Sequence, residues 1–587
     1  MANWFVTTKK ADFNRIAEKF NISPMIARII RNRDVIEEEE IEQFLYGTLE
    51  DLYAPILLKD MEKAAFLIQD KINQKEPIRI IGDYDIDGVC STYILKKGLQ
   101  ACGARVDTAI PHRIHDGYGI NEQLIDKAYE EGIDTIITCD NGIAAYEQIE
   151  HANQLGMTVI ITDHHEIPFQ EKENGEKEYQ LPPAAAVIDP KQEGCMYPFS
   201  SICGAVVAYK LVQFLVEVMQ GEDNVLLELL EFAAIATIGD VMPLLNENRL
   251  IVKYGLASIM HTRNIGLRAL ITVNGLEQKA LSPYHIGFVI GPCLNATGRL
   301  DSATRALELF DTQEEAKAAI IAGDLKALND SRKEMTAKGV EEAIHQIEES
   351  KMKNDKVLVV YLPECHESLA GIIAGRIREK YGKPAFVLTN GEEGVKGSGR
   401  SIEAYHMYEE MTKHKELFTK FGGHKLAAGL SLEEKNVERF HVLMNQTTTL
   451  TDDDFIEKIQ VDIPMPLRFA TKEFTEEISL LEPFGMGNPK PLFAQKAVSF
   501  ISGRILGQNK NVGKYVVADE QNNRYDMVYF GDIEKLNQYI EERFGLEQKL
   551  SLYENRKTTI KLAVCYYPEI NEYRGNKNLQ IVMKDYQ

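Results

Sequence analysis

The sequence predicts a multidomain α/β protein: a parallel-sheet N-terminal domain, a long connecting helix, a second and smaller α/β domain, and a C-terminal β-barrel. Three observations predict it. Between Ile78 and Ile188 short apolar runs alternate with amphipathic stretches. From Thr312 to Glu349 a long charged stretch reads as one extended helix. Beyond about Ile459, short stretches of alternating hydrophobicity are separated by polar turn residues. The first pattern belongs to βαβ units around a buried sheet, and the last to a small antiparallel barrel.

Taken in order, residues 1–50 form a mainly helical lead-in. The expected strands of the first sheet are PIRIIGD, VDTAIP, DTIITCD, MTVIITD and AAAVIDP. Between them lie helical patterns such as STYILKKGLQACG and NEQLIDKAYEEG, the latter closed by a glycine suited to the position just past a helix end. From Gly204 to about Lys351 the pattern is helical, with KLVQFLVEVMQ and VLLELLEFAAIATIG as its apolar runs. Strand signals return near Lys356, where VLVVYLP, the helical GIIAGRIREKYG and PAFVLTN form a second βαβ-like unit. Two glycine-rich segments follow, VKGSGRSI and FGGHKLAAGL, and the polar TTTLTDDDFIEK marks a further boundary. The expected domains are therefore 1–50, 51–310, 311–351 (the connecting helix), 352–455 and 456–587.

A chain of 587 residues exceeds one ordinary core at about 100 to 200 residues per domain. With 44% hydrophobic and 26% charged residues it has the usage of a folded soluble protein. The start, MANWFVTTKKADFNRIAEKF, carries charges throughout and lacks the apolar core of a secretory signal. No stretch runs uncharged for the roughly 18 residues of a membrane span, so a cytoplasmic, membrane-free and monomeric protein is expected. Eight scattered cysteines make no CxxC pair and read as reduced, packed thiols. A net charge of −23 weighs against a polyanionic partner. Clustered carboxylates that hold cations contribute to that sum, however, and a basic groove can sit on an acidic molecule.

Three acids, Asp83, Asp85 and Asp87, stand in IGDYDIDGV directly after the first strand. In an extended chain their i, i+2, i+4 spacing directs all three carboxylates to one side. Like charges that close repel unless a cation neutralises them, and carboxylate oxygens suit Mg²⁺ or Mn²⁺. Two more strand ends deliver matching groups: Asp140 in TCDNG, and Asp163, His164 and His165 in TDHHE. Asp240 in ATIGDVMPL follows an apolar helical run. A single strand-end Asp is ordinarily a turn or capping residue. Parallel strands converge at their carboxyl edge, however, so these groups can meet. Imidazole beside carboxylate tilts the preference toward Mn²⁺.

In that order GDYDIDG, CDNG, TDHH and GD resemble the first four motifs of the DHH phosphoesterases. That resemblance implies two bound divalent cations, Mn²⁺ preferred and Mg²⁺ possible, and hydrolysis of phosphoester bonds. It implies Asp83, Asp85, Asp87, Asp140, His164 and Asp240 as metal ligands. Asp163 would be an orienting neighbour, and His165 would complete the shell or touch the phosphate. Some members carry His four residues before the middle Asp of the first motif; here that position is Ile81, and the resemblance implies that Asp83 takes over its duty.

Over nearly the whole chain the sequence resembles the RecJ family within that superfamily. GPCLNATGR, with Asn295 and Arg299, resembles the segment that approaches the scissile phosphate. GIIAGR ending at Arg376, GSGRS with Ser398 and Arg400, and GGHKLAAG with Gly422, Gly423 and His424 resemble the DHH-associated domain that binds the nucleic-acid backbone. EPFGMGNPKPLF, beginning at Glu482, resembles the entry into an OB-fold domain. Glycines around Ser398 and Gly423 are expected to let backbone N–H groups approach a phosphate as nests do, beside the forked donors of Arg299, Arg376 and Arg400. Near CHESLAG the family pattern leads one to expect Trp and Gly-Val, where this chain has Cys365, Ser368 and Leu369. Tyr515, Tyr525 and Tyr529 of the barrel remain open between core and stacking roles.

The resemblance implies a single-strand-specific DNA exonuclease that releases mononucleotides from the five-prime end in recombination and repair. A helicase and a single-strand-binding protein would be its partners. A phosphodiesterase for small substrates and a catalytically silent replication scaffold are the alternatives.

Overall fold

The computed structural model describes residues 2–113, 116–172, 177–221, 224–391, 394–507, 509–573 and 576–587. The chain packs as two compact units. One comprises Leu52–Met242 and Leu250–Ile456, the other Met1–Asp51, Pro243–Arg249 and Glu457–Gln587.

In the first unit, strands β1 (Pro77–Gly82), β2 (Arg105–Ala109), β3 (Thr135–Cys139), β4 (Thr158–Thr162) and β5 (Ala186–Ile188) form one sheet in the order β2-β1-β3-β4-β5. Every pairing is parallel. Central strands of such a sheet are covered on both faces, which is why they read as unbroken apolar runs; all five residues of β3 are buried. Helix α1 (Ile86–Ala101) follows β1, α2 (Glu122–Glu130) precedes β3, and α3 (Tyr146–Gln154) precedes β4. The glycine expected past the end of α2 is Gly132, which takes a φ of 74° while its N–H donates to Tyr129 O.

Helices α4 (Gly204–Val218) and α5 (Asn224–Gly239) pack against α1. The fit of α4 is close: a Cβ on Gly98 of α1 would lie 2.3 Å from Val212. The strand order reverses between β1 and β3, and in open parallel sheets such a reversal leaves a crevice at the carboxyl ends of the strands.

The expected connecting helix is α7 (Glu315–Glu349), 35 residues in one piece and preceded by α6 (Gly291–Leu300). At 1.5 Å per residue it extends about 50 Å. The second sheet comprises β6 (Leu358–Tyr361), β7 (Ala385–Asn390), β8 (Val395–Arg400), β9 (Phe418–Gly423) and β10 (Ala427–Leu432), ordered β9-β10-β8-β7-β6. β6 and β7 are parallel and joined through α8 (Ala370–Tyr381), as the βαβ pattern required; the remaining pairs are antiparallel.

One expectation fails here. β8 pairs with β7 on one side and β10 on the other, so its amides serve the ladder and form no nest around Ser398. Its glycines answer to packing instead. A Cβ on Gly397 would lie 2.3 Å from Leu388, and one on Gly399 would lie 2.4 Å from Met407 Sδ.

In the second unit the barrel strands are β11 (Ile463–Pro464), β12 (Phe493–Leu506), β13 (Val512–Ala518), β14 (Arg524–Tyr529), β15 (Lys561–Tyr573) and β16 (Asn576–Tyr586). β12 pairs with both β13 and β15 and so closes a ring of five, with the two-residue β11 alongside. The barrel is not wholly antiparallel, as the alternation suggested: β14 and β16 run parallel. An odd number of strands cannot close into a ring with every neighbour reversed.

The lead-in helices (Phe13–Phe20, Pro24–Asn32 and Glu38–Tyr46) share the barrel's hydrophobic core. A buried ion pair, Arg33 Nη1 to Asp462 Oδ1 at 2.5 Å, fixes them to it. Arg249 is buried in the same unit and donates to the carbonyls of Phe44, Leu480 and Leu481. All eight cysteines are free, with Cys139 buried at the end of β3. Among the described residues no helix is long and apolar enough to cross a membrane.

Candidate active site

The segment after β1 does not stay extended, contrary to the simplest reading of its acids. It turns at once into α1, and Asp85 is that helix's cap, its Oδ1 accepting the N–H groups of Asp87 and Gly88 at 2.9 and 3.1 Å. Gly88 is required by this tight turn, since a Cβ there would lie 2.4 Å from Asp83 O. The carboxylates converge because a strand end, a cap and a first helical turn occupy one corner. Asp87 lies in that first turn and accepts the N–H groups of Gly204 and Ala205 at 2.7 and 2.8 Å. The positive end of α4 thus helps hold its charge.

At the end of β3, Asp140 takes a left-handed φ of 60°, supported by its own N–H donating to Thr162 O and by Tyr118 Oη donating to its carbonyl at 2.8 Å. At the end of β4, Asp163 is buried. It accepts the N–H groups of Ile143, His164 and His165, and its Oδ1 lies 2.7 Å from His165 Nδ1. His164 Nε2 lies 3.2 Å from Asp140, 3.5 Å from Asp87 and 3.8 Å from Asp240, the residue just past α5.

Three overlapping donor sets result: Asp140, His164 and His165; Asp87, His164 and Asp240; and Asp83, Asp85 and Asp140. Within each set the ligand atoms lie within 4.8 Å of one another. Ile81 is packed in the core with Ile136 and Val159 and offers nothing to them.

The electrostatics match a cation site. Burial first, then the neighbouring carboxylates, pushes the Asp83 and Asp140 carboxyls far up and raises Asp85; Asp240 is pushed up to about 8 in the same way. Burial lowers His164, leaving a neutral imidazole suited to metal ligation. Burial, the largest single cause, would lower His165 too, but the hydrogen bond and charge of Asp163 together with the charges of Asp240 and Asp87 outweigh it and raise it to about 9. Both Asp83 oxygens and Asp240 Oδ2 are buried without a hydrogen-bond donor. Buried carboxylate oxygens are rarely left so, and this set of carboxylate and imidazole donors is of the kind that suits a hard divalent cation.

A basic cluster accompanies the acids. Burial lowers Arg299 to about 10, and the like charges of Arg113, Arg332 and Arg400 push in the same direction. Arg400 is lowered by burial, then by Arg378 and Arg113. Arg299 Nη1 donates to Ser368 O at 2.8 Å, and Arg400 Nη1 to Ser398 Oγ at 3.1 Å. Arginines crowded together and bonded to neutral oxygens are suited to an anion with several oxygens. α8 leaves them room: a Cβ on Gly371 would lie 2.9 Å from both Arg400 and Ser398.

The other residues singled out by sequence are placed differently. Asn295 Oδ1 accepts the N–H of Ile86 at 2.9 Å, so it anchors the turn that bears the acids. Arg376 is exposed and pairs with Glu379. Gly423 takes a φ of 146°, and His424 is exposed at the tip of the β9–β10 hairpin. Cys365 packs beside the core under α7. Tyr515 and Tyr529 are barrel core, whereas Tyr525 lines a surface cavity of about 580 Å³ with Lys514 and Arg524.

Sequence reasoning missed Arg113, Arg332 and Tyr118. Arg332 sits on the long charged helix, where nothing distinguishes it from its neighbours. Arg113 and Tyr118 follow β2, and their position past a strand end was the available signal.

Parallel-sheet architecture, acids and imidazoles at its carboxyl edge, and an arginine-lined second domain together define a DHH-type phosphoesterase. Residues 77–237 match the DHH family N-terminal domain, 354–449 the DHHA1 domain and 461–585 the RecJ OB domain. The chain is 34% identical over 574 residues to the single-stranded-DNA-specific exonuclease RecJ of Bacillus subtilis, covering 97% of this chain and 69% of that one. With the Escherichia coli protein of the same name it shares 31% over 591 residues, 96% and 95% of the two chains. The crystal structure of Thermus thermophilus RecJ in complex with Mn²⁺ superposes with a TM-score of 0.81 at 26% identity, over 100% of this chain and 79% of that one. The Mg²⁺ complex of the same protein gives 0.76 at 25%, over 100% and 78%. The chain belongs to the RecJ family.

Proposed function

We propose that this protein hydrolyses single-stranded DNA from the five-prime end to mononucleotides, in recombination and repair. The observation that carries the reading is the gathering of three overlapping donor sets at one sheet edge, two of carboxylate with imidazole and one of carboxylates alone, with buried oxygens that no protein donor satisfies. Asp83, Asp85, Asp87, Asp140, His164 and Asp240 would hold two divalent ions, Mn²⁺ preferred over Mg²⁺. When bound, such ions supply Lewis acidity and neutralise charge on the phosphate.

The chain's own groups do the rest. Asp163 fixes the ring of His165, which holds a proton at Nε2 in reach of a phosphate or leaving oxygen. Arg299, Arg400 and Ser398 bind phosphate oxygens, and Arg299 adds charge where the transition state develops it. Arg376, Gly423 and His424 are assigned to strand binding by position alone, whereas Asn295 serves by holding the turn of the acids. The catalytic domain would span 51–310, the connecting helix 311–351, the DHH-associated domain 352–455 and the OB-fold domain 456–587, behind the 1–50 lead-in. A helicase that opens duplex and a single-strand-binding protein are the partners this chemistry calls for, and a cytoplasmic monomer suffices for it.

The test is digestion of five-prime-labelled and three-prime-labelled strands by the full chain with Mn²⁺. Mononucleotide release from the five-prime end, sparing of blunt duplex and silence of Asp85→Ala are expected. Equal attack on duplex, or internal cutting, would overturn the reading.

A further inference from the structure

Arg113 follows β2 and is half-buried, yet among the described residues its guanidinium makes no hydrogen bond and no ion pair. Elsewhere in this chain arginines close on neighbouring acids: Arg79 binds Asp107 and Glu131, and Arg305 binds Asp324. Acids are within reach of Arg113 too. Its charge acts on Asp83, whose two oxygens are buried without a donor. Opposite charges in one corner, each with unspent hydrogen-bonding groups, are ordinarily drawn together.

What engages the guanidinium is an aromatic ring. Arg113 Cζ lies 4.8 Å from the ring centroid of Tyr84, the residue between Asp83 and Asp85. Two neighbours fix that ring. The Tyr84 backbone belongs to the tight turn into α1 and packs on α6, where a Cβ on Gly298 would lie 2.3 Å from Tyr84 O. The ring itself meets Tyr118 edge-on with centroids 6.2 Å apart, and Tyr118 Oη donates to Asp140 O. A ring so held has little freedom left to lose when a cation settles on it.

We infer that Tyr84 is a positioning residue that holds Arg113 on its ring and off the carboxylates, so that the acids stay free for cations and the guanidinium for an anionic oxygen of the substrate. The inference rests on the metal-dependent phosphoesterase reading and deepens it. An aromatic ring suits the duty because its π electrons attract the cation without accepting its N–H groups. A carboxylate in that place would consume those donors. An aliphatic side chain would hold nothing, and the arginine would fall on Asp83 or Asp85 and compete there with a bound cation.

The test is calorimetric titration of Mn²⁺ into the full chain, with melting temperature in chelator as the folding control. The variants are Tyr84→Leu, Tyr84→Met, Tyr84→Phe, Arg113→Gln and Tyr84→Leu/Arg113→Gln. Tyr84→Leu should weaken Mn²⁺ binding roughly tenfold or more, and Tyr84→Phe, which keeps the ring, should match the parent. Arg113→Gln should bind Mn²⁺ at least as tightly as the parent. The double variant should return to the Arg113→Gln value, because the competing cation is gone. Tyr84→Met repeats the comparison with a longer side chain should Tyr84→Leu melt early. Parental affinity in both aliphatic variants would overturn the inference alone. So would a loss that Arg113→Gln does not relieve, which would make the ring a mere prop of the fold. Absence of Mn²⁺ binding by the parent would instead remove the metal-dependent reading, and this inference with it.

Discussion

Asn295 on α6 accepts the backbone N–H of Ile86, the first residue of α1, at 2.9 Å. One helix therefore carries Arg299 and also pins the turn that carries Asp83, Asp85 and Asp87. Replacing Asn295 with Ala leaves that N–H without its acceptor, at a cost of about 1–2 kcal/mol in stability. The loss of activity should be larger, roughly tenfold or more, because small misplacements of reacting groups are amplified in rate. Thermal unfolding and strand digestion measured side by side check the disproportion, and Asn295→Asp should recover most of the activity.

Asp163 acts through His165. Asp163→Asn keeps the shape but weakens the acceptor of the bond from His165 Nδ1 and sets an amide against the N–H of Ile143. Activity should fall by about 10–100-fold, as for other residues that orient the groups of a metal site. The pH profile should also change. His165 is held protonated up to about 9 by Asp163, so the alkaline limb of activity should move to lower pH in the variant. Strand digestion at fixed pH and a pH–rate profile check the two effects.

The raised carboxyls predict how the metal-free protein responds to pH. Asp83, Asp85 and Asp140 lie above their ordinary value and Asp240 near 8. The folded state therefore binds these protons more tightly than the unfolded chain, whose Asp titrates near about 3.9. Their contribution to stability is present at low pH and is lost as pH rises through the folded values. His165, raised to about 9, acts with the same sign. The melting temperature in chelator should fall from pH 6 to 9, Mn²⁺ should reverse the fall, and Mn²⁺ binding at pH 7 should release protons. A metal-free melting temperature that rises across this range would contradict the assignment.

Arg249 tests the second unit. Its guanidinium is buried, lowered to about 10, bonded to three carbonyls and placed over the Phe44 ring at 4.2 Å. Arg249→Leu orphans those carbonyls and should cost about 3–5 kcal/mol, with Arg249→Lys in between. Denaturant unfolding followed at barrel tyrosines reads this directly.

The sequence by itself determined the sheet, the long helix and the acids at strand ends, because apolar periodicity and strand-end position are local properties of the chain. It also carried the motif order that places the chain in its family. Tertiary structure alone decided what depends on distant partners. Asp85 is both the helix cap and a member of the carboxylate cluster because the chain turns at Gly88. Asp163 faces His165 because Ile143 supplies an N–H from another loop. Asn295 serves as an anchor, and Arg113 and Arg332 join Arg299 from separate elements. The lead-in helices share the barrel's core, and the parallel β14–β16 pair follows from closing five strands into a ring. Each is a matter of which groups meet across long sequence separations, where burial and Coulomb forces act and sequence spacing carries no signal.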